Sequence, residues 1–282
     1  MDDAEFVERA YALILRRAPD PEGVSAALRA LGDGAVSRAG FIHGLVHSAE
    51  FVEVRGLDDA LLAARGGPLR GLGAPAGTDE RRIEIPWVLS RYGGERRLLD
   101  VGYANAPAAY LEALTALGAG ELVGVDLADE RLDIPGLRPV KADLRALPFP
   151  DGAFDLVHCI STIEHVGWDN TVYGLAAERD AGGMERALCE LRRVLAPRGR
   201  LLITVPTGLD EHHDWFVQHP ASAWLDLFGR AGLDAAEYEV YELGPGGWGS
   251  VTGEPPVRYG ERGPAASAVL CAELRVNVGS AA

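Results

Sequence analysis

Five short apolar runs occur between residues 98 and 205, and none of them alternates apolar with polar residues. They are Leu98-Leu99-Asp100-Val101, Leu122-Val123-Gly124-Val125-Asp126, Pro139-Val140-Lys141-Ala142-Asp143, Phe154–Ile160 and Arg200–Val205. Runs of this kind are buried on both faces, and helical stretches lie between several of them. That combination indicates a parallel sheet covered by helices on each side, an α/β fold. Helices are expected from about Pro107 to Leu117, Gly183 to Leu195 and Ala221 to Ala231, with further strands at Glu237–Leu243 and near Ala268–Leu274. Ligands of such sheets bind at the carboxyl ends of the strands, so the residues just after each run matter most.

Composition narrows the partners. The chain of 282 residues carries 27 Lys+Arg against 42 Asp+Glu, a formal charge of −15, and such a surface repels nucleic acid. No stretch reaches the ~18 apolar residues of a membrane span, so no membrane partner is expected. The N-terminus is acidic, unlike a signal peptide. Cys159, Cys189 and Cys271 are odd in number, far apart and set in apolar runs, as buried thiols of a cytoplasmic protein would be.

Three segments are expected: a helical module over 1–55, a Gly/Pro-rich linker over 56–80, and the α/β domain over 81–282. In the first, Phe6, Ala10, Leu13 and Ile14 recur at helical spacing. Asp20 precedes Pro21 as an N-cap, Val24, Ala27, Leu28 and Leu31 share one face, and Ser37 can cap a third helix. Tyr11–Gly23 together with His47–Phe51 resembles a small bacterial helical module of uncharacterised function, often found beside glycosyltransferases and methyltransferases. The resemblance implies a docking or homo-oligomer contact through residues 1–55. A bundle that only shields the main domain would read the same way.

Each of the first three strands ends at or near an acid: Asp100, Asp126 and Asp143. A carboxylate after the second strand can accept both hydroxyls of a ribose, and one after the third can accept an adenine amino group. The turn Gly102-Tyr103-Ala104-Asn105-Ala106 lacks the later glycines of a dinucleotide loop, and no phosphate-loop lysine is present. A ligand poor in phosphate is therefore expected.

Together with Phe154-Asp155-Leu156-Val157, Ser161–Gly167 and Leu191–Gly199, these stretches resemble the class I S-adenosylmethionine-dependent methyltransferases of the small-molecule type. The resemblance implies a Rossmann-like seven-stranded sheet with the last strand antiparallel, and S-adenosylmethionine as cofactor. Asp100, Gly102, Tyr103 and Ala104 would form the loop around its methionine part. Asp126 would hold the ribose, Leu127 would pack on the adenine, Asp143 and Leu144 would hold the adenine edge, and Ser161 would border the methionine head. Ala104 and Ala106 depart from the glycine-rich pattern and put the loop geometry in question. Arg81–Leu89 resembles the helix before the first strand in such enzymes, with Trp87 either over the cofactor or in the core.

His165 follows the fourth strand at the methyl-donor end, where an imidazole is suited to remove a hydroxyl proton, and Glu164 can orient it. A Glu-His pair that opens a helix and merely packs would look identical. Trp168, Tyr173, His212, His213, Asp214 and Trp215 are candidates for the acceptor wall. Some relatives hold a divalent ion with an E-x-x-E-H run and a distant histidine. Here Ser161 replaces the first glutamate, so a metal is not favoured, and Glu164, His165 and His213 would be its ligands if one bound. The resulting expectation is methyl transfer to a small acceptor, a hydroxyl of a sugar or glycosylated natural product. The alternatives are a small amine acceptor, or a scaffold that binds the cofactor without turnover.

Overall fold

The computed structural model describes residues 1–15, 17–48, 50–51, 66–128, 134–171, 179–263 and 265–277. Residues 56–65 of the expected linker and Tyr173 lie outside the described residues, as do Arg16 and Ala49 of the N-terminal motif.

Helices α1 (Asp3–Ile14), α2 (Pro21–Gly32) and α3 (Arg38–Val46) begin where side-chain caps stand. Asp20 accepts the Gly23 N–H at 2.7 Å, and Ser37 accepts that of Gly40 at 3.1 Å. Each satisfies one of the unbonded amides of a helix start. Ala10, Leu15 and Leu45 form a small core between them.

The main sheet contains β1 (Arg97–Val101), β2 (Glu121–Asp126), β3 (Arg138–Lys141), β4 (Phe154–Ile160), β5 (Leu195–Pro206), β8 (Leu233–Gly244), β9 (Gly247–Val251) and β10 (Ala268–Val276). The short strands β6 (Glu211–His212) and β7 (Val217–Gln218) pair antiparallel with each other apart from it. The order in the main sheet is β3-β2-β1-β4-β5-β10-β8-β9. Its first five strands in that order run parallel, and β10 runs antiparallel to both β5 and β8. The sheet therefore has eight strands, where seven were expected. The extra strand is β9, which folds back on β8 with Gly244 paired to Gly247 and only Pro245-Gly246 between them. Its sequence, Gly-Trp-Gly-Ser-Val, has too little apolar patterning to be read as a strand.

Except at the edge strand β3, where Arg138, Pro139 and Lys141 are exposed, the runs are buried on both faces because successive residues feed different cores. Leu99, Val101, Val123, Val125, Val157 and Cys159 join one cluster, while Leu98, Leu122 and Leu156 join the other. The first cluster is covered by α6 (Gly183–Val194) and α7 (Ala221–Arg230), the second by α4 (Arg81–Leu89) and α5 (Ala108–Ala116). Strand β3 is the exposed edge, and its Arg138, Pro139 and Lys141 are residues that discourage further strand pairing.

Two expectations change. Residues 69–78 do not behave as a free linker. Ala74 pairs with Trp248 in both directions (3.3 and 2.8 Å), and Arg70 makes a forked ion pair with Glu237 at 2.8–2.9 Å. Glycine content signalled turns here, but partners on the sheet edge hold them down. Cys189 is exposed on α6, whereas Cys159 and Cys271 are buried.

Gly124 sits beneath the first turn. A Cβ there would stand 2.8 Å from Tyr103 Cδ1 and 2.9 Å from Leu137 Cδ2. Gly124→Ala is expected to destabilise the fold by about 1–3 kcal/mol through overpacking, measured by urea unfolding. An unchanged midpoint would show that the Tyr103 ring yields freely.

Candidate active site

A cleft of about 210 Å³ opens at the carboxyl ends of β1, β2 and β4. Asp100, Gly102, Asp126, Leu127, Asp143, Leu144 and Ser161 line it, together with His165 from the 3-10 turn Ile163–His165. Two of the cofactor residues expected from sequence stand apart. Tyr103 is buried under the turn against Gly124, so it supports the loop from below. Ala104 lends its backbone, with its N–H donating to Asp126 at 3.0 Å.

Gly102 has φ +83°, and a Cβ there would lie 2.5 Å from Thr162 Oγ1. This one position in the turn requires glycine. Asp126 accepts from Ala104 through one oxygen and from Ala128 (2.9 Å) through the other. Asp143 is held by a fork to Arg145 at 2.6–3.0 Å, and that contact keeps its carboxyl below the usual range. Asp100 is buried beneath the cleft and accepts a 2.5 Å bond from Tyr110. Burial pushes its carboxyl up to about 7, and the Tyr110 bond opposes only part of that rise.

The end of the cleft beside β4 holds residues that the sequence did not connect. Helix α4 brings Arg81 and Glu84 over the end of β4. Glu84 is fully buried, accepts Ser161 Oγ at 2.6 Å and pairs with Arg81 at 2.5 Å. Ser161 itself has φ +40°, the one positive value among the described non-glycine residues. Strain of that kind persists where surrounding bonds impose it. Here the Ser161 N–H is fixed by Thr204 O at 3.0 Å and its hydroxyl by Glu84. The available signal was Glu84 itself, a charge between Ile83 and Ile85 in an otherwise buried helix.

His165 Nδ1 lies 3.0 Å from the Trp215 carbonyl, which can only accept, so Nδ1 carries the proton and Nε2 the lone pair. The Trp215 ring stacks on the imidazole at 5.1 Å. Burial pulls the His165 pKa down to about 4, against the pull of the Trp215 bond, so the ring is neutral at pH 7. Nε2 is 3.9 Å from Glu164 Oε1. Glu164 is buried, which drives its carboxyl upward.

The other expected wall residues scatter. Trp168 meets His212 edge-on at 5.6 Å, His213 stacks on Phe216 at 4.3 Å, and Asp214 is exposed beside Arg179. Glu164, His165 and His213 do not form a ligand group. Among the described residues, the potential metal-binding group is Asp210, His212 and His219, with ligand atoms within 4.8 Å of one another. Trp87 is in the core, with its Nε1 donating to Glu239 at 2.8 Å and Arg91 stacked on its ring.

The raised Asp100 value sets a pH dependence. The folded state binds this proton more tightly than the unfolded state, so its contribution is full below about 3.8 and is lost as pH rises through about 7. At about 1.4 kcal/mol per pH unit, the gap amounts to several kcal/mol. Asp100→Asn is therefore expected to gain stability relative to wild type between pH 4 and 8, measured by urea unfolding at each pH. A constant difference would overturn the assignment.

Residues 99–203 match a family model described as a methyltransferase domain, and residues 1–54 match a domain of unknown function (DUF4214). The demethylmenaquinone methyltransferase of Thermus thermophilus is 36% identical over 128 residues, which is 38% of this chain and 51% of that protein. An uncharacterised protein of Methanocaldococcus jannaschii is 35% identical over 68 residues, 24% of this chain and 23% of its own. The chain thus spans about half the length of the first relative and about a quarter of the second. A solved 1,6-didemethyltoxoflavin-N1-methyltransferase of Burkholderia thailandensis aligns with a TM-score of 0.47 at 14% identity, over 95% of this chain and 90% of that one. Among the described residues no helix is long and apolar enough to cross a membrane. The first match falls on the strands whose carboxyl ends build the cleft, so residues 99–203 are those similar to a methyltransferase domain.

Proposed function

We propose that this protein transfers the methyl group of S-adenosylmethionine to a small-molecule acceptor, with a hydroxyl of a sugar or glycosylated natural product as the target. The observation that supports it is His165, a neutral imidazole that lines the cleft and whose bond to Trp215 leaves the lone pair on Nε2.

The cleft fits the cofactor. Asp126 offers a two-oxygen acceptor for the ribose hydroxyls, Leu127 and Leu144 offer apolar surface for the adenine, and Asp143 accepts at its edge. Ser161 and Gly102 border the methionine end, where only glycine leaves room beside Thr162. When bound, S-adenosylmethionine supplies a methyl group activated by a sulfonium. The chain's residues do the rest. Trp215 and Phe216 offer aromatic surface on which an acceptor ring can stack. An acceptor hydroxyl donates to His165 Nε2, which takes its proton as the oxygen attacks. The imidazolium that forms is 3.9 Å from Glu164. Residues 1–55 serve as a docking element for a partner or a second copy, separate from this chemistry.

An amine acceptor is the second reading, favoured by the acid-rich surroundings of His165. An amine whose nitrogen is already neutral needs less proton removal. The two readings part at His165→Ala. Hydroxyl transfer is expected to lose about 10²-fold or more in kcat with little change in the KM of S-adenosylmethionine, whereas amine transfer would keep most of its turnover. Mass spectrometry across sugar, phenol and amine acceptors reports the gain of one CH₂ and supplies the substrate for that assay.

Cofactor binding has its own test by calorimetry with S-adenosylhomocysteine. Asp126→Ala is expected to weaken it about 10- to 100-fold, the value of hydrogen bonds to a charged group. No binding by the wild-type protein would overturn the reading.

A further inference from the structure

Beside the cofactor cleft is a second cavity of about 60 Å³, and Arg81, Ser161 and His165 line both. Its remaining walls are of two kinds. Glu80 and Glu164 present carboxyl groups, and Trp215, Phe216 and Tyr259 present rings. Phe216 packs against Tyr259 at 4.5 Å and against Trp215 at 4.5 Å, so the three rings form a continuous aromatic surface. Glu84 lies behind, fully buried.

The charges here do not balance. Three carboxyl groups, Glu80, Glu84 and Glu164, surround one guanidinium, that of Arg81, and His165 is neutral at pH 7. Arg81 is already committed to Glu84 at 2.5 Å. Glu80 Oε2 and Glu164 Oε2 are buried and have no hydrogen-bond partner. A buried carboxyl without a partner is costly unless a cation or a donor joins it. Burial and the neighbouring Glu84 push Glu80 up to about 7, and burial drives Glu164 up as well.

We propose that this cavity binds a protonated amine carried by the acceptor, seated between the Glu80 and Glu164 carboxyls and the faces of Trp215, Phe216 and Tyr259. An ammonium gives both orphaned oxygens a donor and gains from the ring faces. The cavity is sized for a head group rather than a whole acceptor. The shared wall of Arg81, Ser161 and His165 then places the rest of the molecule toward the cofactor cleft. This inference rests on the methyltransferase reading and narrows its substrate class to acceptors that bear a basic nitrogen.

The test uses two probes of nearly the same shape, benzylamine, a cation at neutral pH, and benzyl alcohol. Each is titrated by calorimetry into the full chain at pH 7.5, with and without saturating S-adenosylhomocysteine. Benzylamine is expected to bind at least about tenfold more tightly, and the double variant Glu80→Gln/Glu164→Gln is expected to abolish the preference. Thermal melting checks that the variant is folded, and the wild-type comparison stands without it. Equal binding, a preference for the alcohol, no binding of either probe, or a preference that survives in the folded double variant would each overturn the proposal. If S-adenosylhomocysteine does not bind, the cofactor reading fails, and the amine preference in the cofactor-free protein still decides the cavity.

Discussion

The contact on which the site depends is the buried bond between Glu84 and Ser161. It joins the helix that enters the domain to the end of β4, the strand that Ser161, Glu164 and His165 follow. A carboxylate at zero exposure must have its charge answered, and Glu84 has two answers, the Ser161 hydroxyl and the Arg81 guanidinium. Arg81 is in turn held above its ordinary value by Glu84 and Glu80, against burial that would lower it. The left-handed backbone at Ser161 becomes tolerable because both its amide and its hydroxyl are fixed. Thr162 against Gly102 and Glu164 beside His165 come next along the chain, and both inherit their positions from that turn.

The parallel half of the sheet was legible because its signal is redundant. Each strand except the edge strand β3 is a short apolar run that feeds both cores, β2 ends in an acid and β1 has one at its next-to-last position, so one misread residue does not move the element. The three acids of the cleft came with it, since Asp100, Asp126 and Asp143 are placed by strand ends alone. The donor side was not legible, for two physical reasons. Glu80 and Glu84 come from a helix some eighty residues before His165, and no periodicity states which strand end that helix covers. His212 and His213 are neighbours on an extended chain, where successive side chains point to opposite sides. His212 meets Trp168 and His219 while His213 meets Phe216, so no shared wall was available to them.

The same logic explains the second misreading, residues 69–78. Glycine and proline report where a backbone can turn, and they say nothing about whether the turn has partners. Arg70, Gly71, Leu72 and Ala74 all find theirs on β8 and β9. Strand β9 is the missing half of that arrangement: with it unread, Ala74 had nothing to pair with.

The turn after β1 bears on whether the departure from a glycine-rich loop disables the cleft. Only Gly102 takes a left-handed conformation there. Ala106 sits at φ −75°, an angle open to any residue, and Ala104 lies in the 3-10 turn Tyr103–Asn105. Their methyl groups therefore add no backbone strain. The loop is closed instead by Asp126, which takes the Ala104 N–H and so links the first turn to the end of β2. The glycines of a dinucleotide loop make room for a pyrophosphate, a group this cofactor lacks. With no phosphate to approach, the space that glycine would provide has no use, and alanine keeps the turn stiffer.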